Sequence, residues 1–133
     1  MAKTEDLERF ARQANVRFTT FRRDGTPVPT PIWVVRDGDH LLALTDRTTG
    51  KVKRLRHTPR ALLAPSNSRG KVADGVPDTP STVEIVDNPE ELTRLTAMVK
   101  AKYGMQFTIA RLFQRMRGLS FANGVELRIT LGG

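Results

Sequence analysis

Asp24-Gly25 and Asp37-Gly38 divide the first third of the chain into runs of two-residue periodicity, and this punctuation limits the fold more than any other feature. Val16, Phe18 and Thr20 share one face of a strand before the first pair. A second strand runs from about Val28 to Arg36, and His40–Thr45 forms a third after the second pair. Three consecutive strands joined by short turns read as an antiparallel meander. Pro27, Pro29 and Pro31 alternate at the start of the second strand, so their three missing N–H donors lie on one side of it. A central ladder excludes that arrangement, whereas an edge, a bulge or a barrel rim accepts it.

The rest of the chain adds three strands and several helices. Thr4 is placed to cap a first helix whose stripe is Leu7, Phe10, Ala11 and Ala14. Val52 and Leu55 are the apolar positions of a short helix that Pro59 stops. Arg60–Asn67 reads as a strand, residues 70–80 as a loop and Ser81–Asp87 as another strand. Asn88-Pro89-Glu90-Glu91 supplies a cap, a proline at the first helical position and carboxylates in the first turn. Leu92, Leu95, Met98 or Val99, and Tyr103 form that helix's buried stripe, and Gly104 suits its stop. A further helix over about Thr108–Arg117 precedes a last strand in which Val125, Leu127, Ile129 and Leu131 alternate with Glu126, Arg128 and Thr130. The expectation is a mixed α+β protein: one domain over residues 1–133, built as a six-stranded antiparallel β-barrel split at the proline-bearing strand.

Composition removes several kinds of chemistry. The 133 residues contain no cysteine and only two histidines, His40 and His57, so thiol nucleophiles, iron–sulfur clusters and cysteine-ligated zinc are excluded. Both histidines flank turns or helix ends and read as structural. No apolar run approaches the ~20 residues of a membrane span. The start of the chain turns acidic at Glu5-Asp6, unlike a secretory signal, so a cytoplasmic protein is expected. Net charge is +8, and Arg47–Lys71 holds eight basic residues and no acid, equal to the whole excess. A second acid-free stretch runs from Lys100 to Arg117. Such concentration draws anions: a nucleic acid, an acidic surface or a phosphorylated small molecule. Aromatic residues are few and not interleaved with the basic run, which speaks against a single-strand nucleic-acid platform.

The basic run sits where a helix begins. Thr45-Asp46-Arg47-Thr48-Thr49-Gly50-Lys51-Val52-Lys53-Arg54 reads as a strand end, a hydroxyl-rich turn, a glycine and the first turns of a helix. Cations at a helix N-terminus oppose its partial positive charge by ~0.3–1 kcal/mol each. A bound anion reverses that sign, because it accepts the free N–H groups, the threonine hydroxyls and the Lys51 ammonium. Gly50 would let the backbone approach such a ligand closely. The spacing of a Walker loop is absent.

These residues, in this order, resemble a known family. Thr20-Phe21-Arg22-Arg23-Asp24-Gly25-Thr26-Pro27-Val28, Thr30-Pro31-Ile32-Trp33, Thr45, Gly50-Lys51-Val52-Lys53-Arg54-Leu55-Arg56, Pro59-Arg60 and Ala64-Pro65 through Arg69-Gly70 are similar to the pyridoxamine-5′-phosphate-oxidase-like split β-barrels. The likeness is closest to the small flavin/deazaflavin oxidoreductases that use coenzyme F-420, an 8-hydroxy-5-deazaflavin. The resemblance implies a homodimer with cofactor sites at the subunit interface and a small-molecule substrate. It implies a tricyclic ring along Pro31, Ile32, Trp33 and Val34, and phosphate contacts from Thr45, Thr49 and Lys51 with Gly50 and Lys53 adjacent. Arg54 and Arg56 would meet the acidic tail of F-420. FMN is the second cofactor, weakened because FMN oxidases of the superfamily carry an Arg-Lys pair where this chain has Gly50-Lys51. No catalytic acid or base and no metal ligand is assigned, since a deazaflavin carries its own hydride chemistry. Asn67 and Ser68 are candidates for the substrate side. An FMN- or haem-binding carrier without turnover, and a basic nucleic-acid-binding module, are the alternatives.

Overall fold

A computed structural model describes residues 2–116 and 123–132. The elements are α1 (Ala2–Ala11), β1 (Asn15–Phe21), β2 (Pro27–Ile32), β3 (Val35–Asp37), β4 (His40–Asp46), α2 (Gly50–His57), β5 (Arg60–Ser66), β6 (Thr79–Val86), α3 (Pro89–Tyr103), α4 (Met105–Met116) and β7 (Gly124–Leu131). All seven strands belong to one antiparallel sheet in the order β2-β1-β5-β6-β7-β4-β3. The class is therefore α+β with an open, barrel-like sheet, as expected.

The expected long second strand is two strands, which raises the count from six to seven. Its alternation is unbroken: Ile32 and Val34 point into the main core, while Val35 joins the second cluster and Trp33 packs against it. What changes is the pairing partner. β2 pairs with β1 at one edge of the sheet, and β3 pairs with β4 at the other. The expected meander is thus two hairpins at opposite edges. In the first, Arg22 N–H donates to Thr26 O at 2.9 Å around a three-residue loop in which Gly25 has φ 89°. In the second, Asp37 pairs with His40 across Gly38-Asp39, with Gly38 at φ 59°. Each Asp-Gly pair supplies its turn with the one residue that tolerates this backbone region.

The two-residue passage Trp33-Val34 dictates the shape. Three peptide units hold the Cα atoms of Ile32 and Val35 within about 11 Å. A flat sheet of this many strands would separate its outer strands by roughly 29 Å. The sheet must therefore curl until its edges almost meet. The prolines occupy β2, an outer strand, as their lost donors require.

Phe18, Leu63, Leu127, Ile129, Leu41 and Val34 fill the interior, sealed by Leu7 and Phe10 of α1 and Leu55 of α2. A second cluster lies outside the curl, where Leu95, Val99 and Tyr103 of α3 and Phe107 of α4 cover Val35 and Leu42. That cover also explains Glu126. Strand alternation places it on a solvent face, but it is wholly buried, with its Oε2 accepting from Arg128 Nη2 at 3.1 Å. Burial pushes its carboxyl upward from the ordinary value.

α3 begins as the sequence predicts, with Asn88 Oδ1 accepting from Glu90 and Glu91 N–H at 2.9 and 3.1 Å. α1 begins at Ala2, before Thr4, and α4 at Met105, three residues ahead of the expected start. Residues 117–122, which include the expected last residue of that helix, lie outside the described segment.

The C-terminal end of α3 ties the passage down. The Tyr103 hydroxyl accepts from Val34 N–H at 3.2 Å and donates to Ala14 O at 2.9 Å. Lys102 Nζ donates to Val34 O at 2.6 Å. Tyr103→Phe keeps the ring and leaves the buried Val34 N–H unpaired, so it is expected to cost about 1–3 kcal/mol. Urea unfolding checks this, and a change within error of zero would remove Tyr103 from the role.

Candidate functional site

The turn after β4 is built by Asp46. Its Oδ1 accepts from Thr48 N–H at 2.7 Å and from Thr48 Oγ1 at 2.5 Å, and its main-chain oxygen accepts from Thr49 N–H at 3.1 Å and Thr49 Oγ1 at 2.9 Å. With its hydroxyl so used, Thr49 stands at the cap position of α2 without a side-chain cap bond. The first turn of α2 holds no acid. The N–H groups of Gly50, Lys51 and Val52 lie ahead of the first helical bond, Lys53 N–H to Thr49 O, and donate to no group among the described residues.

Two cations crowd this start. Lys51 is partly buried, and desolvation first, then Arg54, hold its ammonium below the usual lysine range, against an opposing pull from Asp46. Arg54 Nε donates to Thr20 Oγ1 of β1 at 2.6 Å. Helical side chains tilt toward the N-terminus, and residue 54 lies one turn after Gly50 on the same face. The guanidinium accordingly covers Gly50: a Cβ there would stand 2.7 Å from Arg54 Nη1. Gly50 has no positive φ, so it makes room for an arginine rather than for an unusual backbone. Desolvation and the Arg22 charge both press the Arg54 pKa downward. Among the described residues the ion pairs use Arg9, Arg17, Arg36, Arg47, Arg94 and Arg128, so Lys51, Lys53, Arg54 and Arg56 have no carboxylate partner.

Beside this turn lies a cavity of about 110 Å³. Trp33, Leu44, Val99, Phe107 and Ala110 make its apolar wall; Thr45, Asp46, Arg111 and Gln114 are its polar members. Trp33 stacks on Tyr103 with ring centroids 4.1 Å apart and planes 7° from parallel. The Lys102 ammonium is 5.0 Å from the Tyr103 ring centroid, and burial lowers its pKa to about 8.

The structure distributes the residues singled out from the sequence over several places. Trp33 and Thr45 line the cavity. Thr49, Gly50, Lys51 and Arg54 gather at the start of α2, with Lys53 exposed one residue beyond Val52. Ile32 and Val34 are core side chains, while Pro31 is exposed and lies against Gly70. Both main-chain groups of Val34 are engaged by Tyr103 and Lys102. Asn67 and Lys71 line a separate, open groove with Pro65, Ser66 and Val72. Asn67 Oδ1 there accepts from Arg69 and Lys71 N–H at 2.9 and 3.0 Å, which is turn construction. His40 Nδ1 lies 3.1 Å from Thr130 Oγ1, and His57 is exposed beside Arg23. The α3 and α4 wall of the cavity went unread, because Val99 carries the same periodic signal as ordinary core and Phe107 lies ahead of the expected helix start at Thr108. No cluster of metal-ligating side chains occurs among the described residues.

The chain belongs to the pyridoxamine 5′-phosphate oxidase family, whose profile matches residues 3–130. No curated protein matches it. Among solved structures, a conserved hypothetical protein of Mycobacterium tuberculosis superposes with a TM-score of 0.72, over 100% of this chain and 82% of its own, at 21% identity. An F-420 reductase gives 0.63, with 95% and 93% coverage at 17% identity. A FAD-binding protein of Mesorhizobium loti gives 0.64, with 98% and 89% coverage at 15% identity. At these identities the shared property is the fold.

The geometry around Gly50 gives a direct test. Gly50→Ala should leave the melting temperature unchanged or slightly raised, since alanine is the better helix former by roughly 0.5–1 kcal/mol. It should also displace the Arg54 guanidinium from the helix start. A double-mutant cycle with Arg54→Ala measures the coupling, and additive effects on stability and sulfate binding would contradict the contact.

Proposed function

We propose that this protein is an F-420-dependent oxidoreductase that transfers a hydride between reduced F-420 and a small organic acceptor. The observation that carries the reading is the start of α2, where three N–H groups, Lys51 and the folded-back Arg54 converge, and among the described residues the N–H groups have no acceptor and neither cation is ion-paired. A phosphate group accepts from all of them at once. Lys51 and the helix N–H groups would hold the phosphate, with Thr45 nearby and the Thr49 hydroxyl turning from Asp46 O to join them. Exposed Lys53 and Arg56 suit the repeated carboxylates of the F-420 tail. Trp33 and the apolar cavity wall would exclude water beside the flat ring system. When bound, F-420 supplies the hydride chemistry. The protein's part is to position and to exclude water, and no side chain is given the role of catalytic acid or base. The same reading has two copies of the chain sharing sites at their interface.

FMN is the second reading, and one observation favours it. Arg54 brings its guanidinium over Gly50, so an arginine and a lysine meet at the helix start although the sequence has Gly50-Lys51. Titration separates the two, with Trp33, the only tryptophan, as an internal reporter. F-420 is expected to bind more tightly than FMN and to quench Trp33 emission. The reverse order would transfer the assignment to FMN, and failure of both would end the flavin-type reading.

Lys51→Ala should weaken cofactor binding by about 1.5–3 kcal/mol, the range for a charged hydrogen bond, with the melting temperature unaltered. Affinity should also depend on pH in one direction. The free protein holds Lys51 below its ordinary 10.5, and a bound phosphate raises it again. Binding therefore takes up a proton and weakens as pH rises through the depressed value. Calorimetry in buffers of different ionisation enthalpy reads that proton, and Lys51→Ala should abolish the uptake.

A further inference from the structure

Glu126 is a carboxyl group that the fold buries without completing its hydrogen bonds. The side chain is wholly covered, Oε2 accepts from Arg128 Nη2 at 3.1 Å, and Oε1 has no partner among the described residues. The cover comes from its own chain. Val86 of β6 and Leu44 of β4 pair with Glu126 across the ladders, and α3 packs on β4 and β7. An oxygen without a partner is tolerable on a neutral carboxyl and far costlier on a buried carboxylate.

Acids outnumber bases around it. Arg128 is shared by Glu126, by Glu84 of β6 at 3.7 Å and by Glu91 of α3 at 3.8 Å. Glu91 also lies 3.8 Å from Arg94 of α3, which meets Asp37 of β3 at 2.7 Å. Two guanidiniums thus serve four carboxylates, of which Asp37, Glu84 and Glu91 reach solvent and Glu126 does not. On the β4 side Leu42 and Leu44 are apolar, and His40 stands opposite Asp37 at the far end. Among the described residues the acids form no metal-ligating group. A proton is the charge balance left to Glu126. Burial, and to a smaller extent the Glu91 charge, hold its carboxyl above the ordinary value against the pull of Arg128 and Arg94.

The helix above this cluster is also a wall of the candidate cavity. Glu91 and Arg94 lie in the first turns of α3, Val99 lines the cavity, and Tyr103 at the last turn stacks on Trp33. Leu44, the ladder partner of Glu126, lines the same cavity from the sheet. A carboxylate formed beneath α3 draws water between helix and sheet, and the movement that admits water displaces this wall.

We propose that a proton on Glu126 seats α3: with the carboxyl neutral the helix lies on the sheet and walls the cavity, and with it ionised the helix opens locally and the cavity widens beside Trp33. The gate acts on whatever molecule the cavity takes.

The test follows wild type and Glu126→Gln across pH by carboxyl-carbon NMR, amide exchange in α3 and emission of Trp33, the only tryptophan. In wild type Glu126 is expected to titrate above the ordinary carboxyl value. Across that window α3 protection factors should fall by roughly tenfold per pH unit, because local opening releases one proton, and Trp33 emission should shift with them. Glu126→Gln keeps the shape without the charge, so both changes should vanish. Its melting temperature should gain on wild type as pH rises from the ordinary value through the raised one, and hold a constant difference below that window. Glu91→Gln should move the Glu126 midpoint downward. A wild-type Glu126 that titrates at the ordinary value overturns the proposal, and this reading needs no variant to fold. Protection in Glu126→Gln that tracks wild type overturns it too. A raised titration with α3 exchange and Trp33 emission unmoved also overturns it, because the buried proton would then gate nothing.

Discussion

The fold depends on a covalent constraint: β2 and β3, at opposite edges of one sheet, are separated in the chain by Trp33 and Val34 alone. Curling follows from peptide geometry rather than from any particular side-chain contact. It leaves a seam where the edges approach without a shared ladder, and α3 closes it by hydrogen bonds from Tyr103 and Lys102 to the main chain of Val34. The same closure presents Trp33 outward against Tyr103 and so creates a wall of the cavity. Shape, seam and cavity wall are consequences of one short crossing.

The start of α2 is in electrostatic tension that the protein alone does not relieve. The neighbouring carboxylate, Asp46, is committed to Thr48 and shapes the turn. Arg54 reaches back to the wrong end of its own helix and is held there by Thr20. Each cation so placed is unfavourable by ~0.3–1 kcal/mol, a cost that makes physical sense where a negatively charged ligand collects all of them together.

Much of this architecture was legible in the residues. The Asp-Gly pairs marked two hairpins, the alternating prolines marked an outer strand, and Asn88-Pro89-Glu90-Glu91 marked the start of α3. The crossing between sheet edges was not legible, because inward and outward alternation continues through Trp33-Val34 while only the pairing partner changes. Glu126 was misplaced for a related reason: alternation identifies two faces of β7, but not that α3 covers the second. At the candidate site the excess charge could be read directly. The reason for Gly50 could not, since its role is the space that the Arg54 guanidinium fills.

The prolines of β2 have a further consequence for how this molecule associates. Positions 27, 29 and 31 turn only carbonyl groups toward the outside of the open edge, because a proline has nothing to donate. An incoming strand needs alternating donors and acceptors, and this rim presents acceptors alone. At the opposite rim β3 is three residues long, too brief to template a long partner. The open sheet is therefore guarded against polymerising edge to edge, and any assembly must be made through side-chain surfaces.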